Sequence, residues 1–192
     1  VGESLNGTSN THFGYIFGAS SYSDNVGCVP SALKTVVITG DTSIGSSAFY
    51  GCSNLRSITA SDSVRSIGES AFQGCRSLSS VVVPDSVTSI GFGALKGCNN
   101  LSSITLPFVG ERLNGTSNTH FGYIFGASAY SSNSSSVPSS LKTVVITGGS
   151  SIGASAFYGC SNLTNVIIGN SVTSIGKSAF YGCSSLNSIT LP

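Results

Sequence analysis

The sequence is poor in charge. Only 8% of its 192 residues are Asp, Glu, Lys or Arg, against roughly 25% in ordinary soluble domains. The formal net charge is +1, so the field is too weak to capture nucleic acid or an anionic membrane surface. Methionine and tryptophan are absent. No apolar run approaches the roughly 18–20 residues that span a bilayer, which excludes membrane insertion of this segment by a helix. No signal peptide is visible, and no G-x-S-x-G elbow marks a hydrolase nucleophile.

Ser, Thr, Asn and 24 Gly take the place of charge, and they recur with a period. The pattern I-G-x-x-A-F-x-G-C-x-x-L-x-x-[IV] starts at Ile44 and returns from Ile67, Ile90 (with Leu95 for Phe), Ile152 and Ile175. The leucine of each unit falls at 33, 55, 78, 101, 141, 163 and 186, in steps of 22 or 23 residues apart from one of 40. The peptide LNGTSNTHFGYIFGAS at 5–20 reappears letter for letter at 113–128, an offset of 108. A short repeat is therefore nested in a super-repeat, 1–108 followed by a truncated 109–192.

A period in this range with L-x-x-[IV]-x-[LVI] in every unit predicts a leucine-rich solenoid. Segments such as Leu78 to Val83 and Leu141 to Ile146 are short, β-branched and bounded by Gly or Pro, which predicts strands. A-F-x-G-C reads as one helical or 3₁₀ turn closed by glycine. A single unit cannot bury its own apolar face, whereas stacked units bury a continuous one. The expected fold is an α/β repeat solenoid, mostly β, with residues 1–192 forming one solenoid.

The stretch 171–192, S-V-T-S-I-G-K-S-A-F-Y-G-C-S-S-L-N-S-I-T-L-P, resembles the BspA-like leucine-rich repeats of microbial cell-surface proteins. The motif is tight over about 45–107 and 150–192, while the long units 1–44 and 107–149 depart from it. The resemblance implies a right-handed solenoid with a parallel sheet on its concave face and short turns elsewhere. It also implies an extracellular or cell-surface location and adhesion to a host or matrix protein or to a glycan. The expected function is a non-catalytic binding module without cofactor; the alternative is a passive structural spacer. Val1 is not an initiator residue, and neither end carries a polar capping repeat. We therefore expect a fragment of a longer array, whose end coils are open to end-to-end pairing in isolation.

Strand alternation places one residue of each L-x-x-[IV]-x-[LVI] segment away from the core. These are Val37, Thr59, Val82, Thr105, Val145, Ile167 and Thr190, an uncharged β-branched stripe that is either a ligand-binding face or no more than good strand chemistry. Lys34, Arg56, Ser79, Ser102, Lys142 and Thr164 flank it. In the long unit, Phe125-Gly126 is expected to fill the Phe–Gly slot, with Ala127 to Ser139 looping out before Leu141. That polar loop differs between the copies and carries Tyr130 in one and Tyr22 in the other, residues suited to recognition.

Other candidates read as scaffold. Five of the six cysteines (Cys52, Cys75, Cys98, Cys160 and Cys183) share one repeat slot. They are expected to stack about 4.8 Å apart as buried thiols, a poor spacing for disulfides and metal alike. Cys28, opposite Ser136 in the other copy, is expected to be exposed. His12 and His120 lack an acid or nucleophile to work with and read as surface or packing residues. Asp62 and Asp85 read as turn residues rather than as a calcium pair. The sequons at Asn6, Asn100, Asn114, Asn133 and Asn162 are uninformative, with Asn100 and Asn162 expected in the repeat core.

Overall fold

The computed structural model describes residues 12–192. Most coils contribute a strand of three or four residues and then one of two. In chain order these are β1 (Thr35–Ile38), β2 (Ser43–Ile44), β3 (Ser57–Ala60), β4 (Ser66–Ile67), β5 (Ser80–Val82) and β6 (Ser89–Ile90). They continue as β7 (Ser103–Leu106), β8 (Thr143–Ile146), β9 (Ser151–Ile152), β10 (Asn165–Ile168), β11 (Ser174–Ile175) and β12 (Ser188–Thr190). All pairings between these strands are parallel. The longer strands form the sheets β1–β3 and β5–β7–β8–β10–β12, and the short ones form β2–β4–β6 and β9–β11. The result is the expected solenoid of about seven turns.

A third ladder runs through the A-F-x-G-C turns. The amides of Phe49, Phe72, Leu95 and Phe157 donate to the carbonyls of Ala71, Ala94, Ile124 and Ala179 on the next coil, at 2.7–2.8 Å. The glycine of I-G is required by close approach. A β-carbon on Gly68, Gly91 or Gly176 would collide with the backbone of Ser46, Glu69 or Ala154 on the coil before. Inside, each turn delivers an Ala, a Phe or Leu, a Cys and a Leu to a core shared with inward strand residues such as Ile104, Leu106, Val144, Ile146, Val166 and Ile168.

The cysteines belong to this core. Cys52, Cys75, Cys98 and Cys160 are buried, and Cys183 is half-buried. The thiols of Cys75, Cys98 and Cys183 donate to the carbonyls of Phe49, Phe72 and Phe157 at 3.1–3.3 Å. Burial pushes the Cys52 and Cys98 thiols up to about 12 and drives Cys75 and Cys160 well above the ordinary range. Cys28 is half-buried rather than exposed.

The long unit corrects the expected loop. Its aromatic stretch Phe121–Phe125 is a 3₁₀ helix that serves both neighbours. On one side Ile124 receives Leu95, which puts Phe125 in the Phe slot as expected; on the other, Phe121 N–H donates to Ala156 O and its ring meets Phe157 at 4.9 Å. Ala127 to Ser139 does not simply loop out. It folds as a 3₁₀ turn Tyr130–Ser132 followed by α2 (Asn133–Ser136), as Tyr22–Asp24 and α1 (Asn25–Cys28) do in the first copy.

One side chain pins each lobe. Asn133 is fully buried. Its Oδ1 accepts from Gly122 N–H at 3.0 Å and from His120 Nδ1 at 3.1 Å, while its Nδ2 donates to Ala156 O at 3.1 Å. Asn25 does the same with Gly14, His12 and Ala48. The histidines are thus buried packing groups, not surface ones. Because Oδ1 can only accept, Nδ1 carries the proton, and the Nε2 atoms of His12 and His120 are buried without a hydrogen bond. Burial also lowers the His120 pKa, against a smaller opposing effect of the Asn133 bond.

Candidate binding surfaces

The sheet face follows from strand alternation. Val36, Ile58, Val81, Ile104, Val144 and Val166 point toward the core, and the residue after each points out. The parallel register aligns Val37 with Thr59, and in the larger sheet Val82, Thr105, Val145, Ile167 and Thr190 in series. Val37 and Val82 are each 63% exposed, Ile167 is 36% exposed, and Thr105 and Val145 are half-buried. The stripe therefore exists as a row. Arg56, Ser79, Ser102 and Lys142 are exposed beside it, with Lys34 and Thr164 half-buried.

The row is broken once, and the sequence of the break explains it. No ladder joins β3 to β5. At the residue after each strand's outward position, Ala60 stands where other coils have Ile38, Val83, Leu106, Ile146 or Ile168. On the next coil Pro84 occupies the position whose amide elsewhere bonds back, as Ser61 N–H does to Ile38 O and Thr147 N–H to Leu106 O. A proline has no N–H to give. Missing bulk and a missing donor leave a shallow apolar groove walled by Ile58, Ala60, Val81, Val82, Val83 and Pro84, with Phe72 and Leu78 among the residues behind. Ile58, an inward residue, is half-exposed there, whereas Ile104 is buried.

Tyr22 and Tyr130 do not join this surface. They stand on the lobes over the turns, roughly half-exposed, edge-on to Tyr50 at 5.1 Å and to Tyr158 at 5.4 Å. Tyr158 in turn stacks on Tyr181 at 5.1 Å. The expected sites thus fall on two faces rather than one. Among the described residues no cluster of three or more His, Cys, Asp or Glu could hold a metal ion. Asp62 and Asp85 are exposed, and Asp85 accepts from the Thr147 hydroxyl. Asn100 is exposed, contrary to its expected place in the core, Asn162 is half-buried, Asn114 is exposed, and Asn133 is too buried to carry a glycan. Asn6 lies outside the described residues.

Asn25 and Asn133 are the residues that sequence reasoning missed. A signal was present: each keeps its letter at matching positions inside the otherwise variable loops S-D-N-V-G-C and S-S-N-S-S-S. The groove was missed because it needs two coils read together.

Among the described residues no helix is long and apolar enough to cross a membrane. No curated protein matches the chain. Among solved structures it is similar to a leucine-rich cell surface protein from Faecalibacterium prausnitzii, with 30% identity over 89% of this chain and 44% of that one and a TM-score of 0.42. It is similar to a leucine-rich repeat protein of T. pallidum, with 26% identity over 83% and 60% and a TM-score of 0.41. A leucine-rich repeat protein from Bacteroides ovatus gives 26% identity over 85% and 53%, with a TM-score of 0.40. The chain spans less than two thirds of each. The family model for the BspA-type leucine-rich repeat region matches residues 30–124 and 136–192, in six copies. With motif, ladders and core in agreement, this chain belongs to the BspA-type leucine-rich repeat family.

Proposed function

We propose that the chain is a non-catalytic binding module of a cell-surface or secreted protein, and that its sheet face takes a protein ligand. One observation carries the reading: the exposed apolar side chains Val37, Val82 and Ile167 lie in one outward row beside an open apolar groove. Burying such a side chain fully contributes about 1.5–3 kcal/mol. Several together offset the cost of association only if the partner is shaped to the row. The groove at Ala60 and Pro84 supplies that shape as a shallow apolar notch against which an apolar group of the partner packs. Family membership supports the surface location and the adhesive role, as against a passive spacer.

The test is a binding screen of the chain against extracellular-matrix proteins, repeated with Thr59→Glu/Val82→Glu and with Ala60→Leu, which fills the groove. Both variants are expected to lose at least about tenfold in affinity while the thermal midpoint stays within a few degrees. A wild-type chain that binds none of these proteins, or variants that bind as well as wild type, would leave the spacer reading in its place.

A further inference from the structure

The turn face carries a second surface, independent of the stripe. Three successive turns contribute a rung each: Tyr50-Gly51 with Ser53, Gln73-Gly74 with Arg76, and Lys96-Gly97 with Asn99. Together with Val26 they line one trough of about 840 Å³. Its floor has no side chains. Gly51, Gly74 and Gly97 are all left-handed, at φ +69, +76 and +74°, and a β-carbon on Gly74 would lie 3.5 Å from Gly51 Cα. The glycines therefore stack directly under one another. Val26 of the first lobe lies over Gly51, and the stem of Lys96 lies against Gly126 at the base of the second.

Both cations of the trough are exposed. Neither Arg76 nor Lys96 makes an ion pair or side-chain hydrogen bond among the described residues. Of the other cations, Arg112 pairs with Glu111 at 3.5 Å, Lys34, Arg65 and Lys142 bond to backbone carbonyls, and Arg56 and Lys177 are exposed singly elsewhere. No acid lines the trough; Glu69 and Glu111 gather instead around Tyr123. The same slots on later turns hold Tyr158 with Ser161 and Tyr181 with Ser184. At these turn slots positive charge is thus confined to Arg76 and Lys96, two of the eight Lys and Arg of the chain.

We propose that the trough binds an anionic polysaccharide, one carrying carboxylate or sulfate groups. Arg76 presents a fork that matches a carboxylate or sulfate in two hydrogen bonds, and Lys96 a point charge one coil further on. Tyr50, Ser53, Gln73 and Asn99 offer hydroxyls and amides, which donate and accept as sugar hydroxyls require. Rungs recur about every 4.8 Å along the axis, comparable to the advance of one sugar ring in an extended polysaccharide. An acidic peptide fits less well: the amides of Gly51 and Gly74 already donate to Gln73 O and Lys96 O, so no free strand edge is offered.

The test measures binding of polygalacturonate, heparin, neutral dextran and poly-glutamate to the chain by calorimetry. Binding of polygalacturonate, heparin or both is expected, weakening as salt rises from about 0.05 to about 0.3 M, with dextran silent. The arm that binds separates carboxylate from sulfate. Arg76→Ser/Lys96→Gln is expected to lose at least about tenfold with an unchanged thermal midpoint, while Thr59→Glu/Val82→Glu retains glycan binding. That last arm separates failure of this inference from failure of the protein-binding reading. Absence of binding to both anionic glycans, full binding by the Arg76/Lys96 variant, or poly-glutamate binding as tightly as the glycans overturns the proposal.

Discussion

The two copies of H-F-G-Y-I-F-G-A-S, 12–20 and 120–128, are identical in sequence and unequal in structure. In the second copy Phe121, Ile124 and Phe125 are buried, at no more than 2% exposure; in the first Phe13 is half-buried, Ile16 is 58% and Phe17 38% exposed. The 3₁₀ helices, their glycine caps and the His–Asn networks are the same in both. What differs is the neighbour. Phe125 and Ile124 lie under the coil of Leu95, which hands its amide to Ile124 O, and among the described residues no coil covers the same face of Phe17. The local conformation of a repeat is written in its own letters, but its burial is supplied by the coil next door.

Substitution of the paired phenylalanines breaks the symmetry most. Phe125→Ala should destabilise by about 3–5 kcal/mol, the cost of an unfilled cavity in a packed core, whereas Phe17→Ala should cost no more than about 1.5 kcal/mol because much of that ring already meets water. Urea midpoints of the two variants check this, and equal shifts would refute the dependence on the neighbour. The asparagines come next. Asn133→Ala strands Gly122 N–H and the His120 Nδ1 proton in a dry site, leaves Ala156 O only its bond from Phe121 N–H, and should cost about 2–4 kcal/mol. Asn25→Ala should cost about half as much, since its amide bond to Ala48 O is longer at 3.4 Å and Phe13 above it is half-exposed.

The third effect is pH-dependent. Burial holds the His120 pKa below its ordinary value of 6.5. The unfolded chain therefore binds the proton more readily than the folded one. The histidine costs nothing above the unfolded value, and stability falls as pH drops from about 6.5 through the folded pKa. Urea midpoints from about pH 7.5 to about pH 5.5 should fall in wild type and fall less in His120→Gln, whose amide can still donate to Asn133. Parallel curves for the two proteins would count against a buried, unprotonated Nε2.

Strands, core and cysteine ladder were legible because each depends on a pattern inside one unit. Alternation sends Ile104 and Leu106 in and Thr105 out; a fixed slot stacks Cys75 over Cys52. Features made by two coils were not legible. The break between β3 and β5 needs Ala60 on one coil and Pro84 on the next, neither remarkable alone. The trough needs Arg76 and Lys96 to be read across a stack of glycines. The lobe was half legible: Phe125 could be aligned by its Gly, but Phe121 takes the same slot toward the other neighbour. Asn133 escaped notice because a buried polar residue is recognised by its partners, and His120 and Ala156 lie 13 and 23 residues away.

The smallest expected effect bears on why the lobes can differ at all. Cys28 faces Ser136 across the 108-residue offset, both close α-helical turns of four residues, and both are half-buried. The structural work of each lobe is done by its Asn, which is kept, so its neighbours are free to vary. Cys28→Ser should therefore shift the urea midpoint by no more than about 0.5 kcal/mol. It should still remove the fastest-reacting thiol, because Cys52, Cys75, Cys98 and Cys160 are buried with raised pKa values and only the thiolate attacks a disulfide reagent. Cys183 is half-buried as well, but burial raises its pKa and its thiol is engaged by Phe157 O, so it should react second. A Cys28→Ser chain that loses stability comparably to Asn25→Ala would show that the variable letters hold the lobe too, and the two copies would then owe their common shape to more than one residue each.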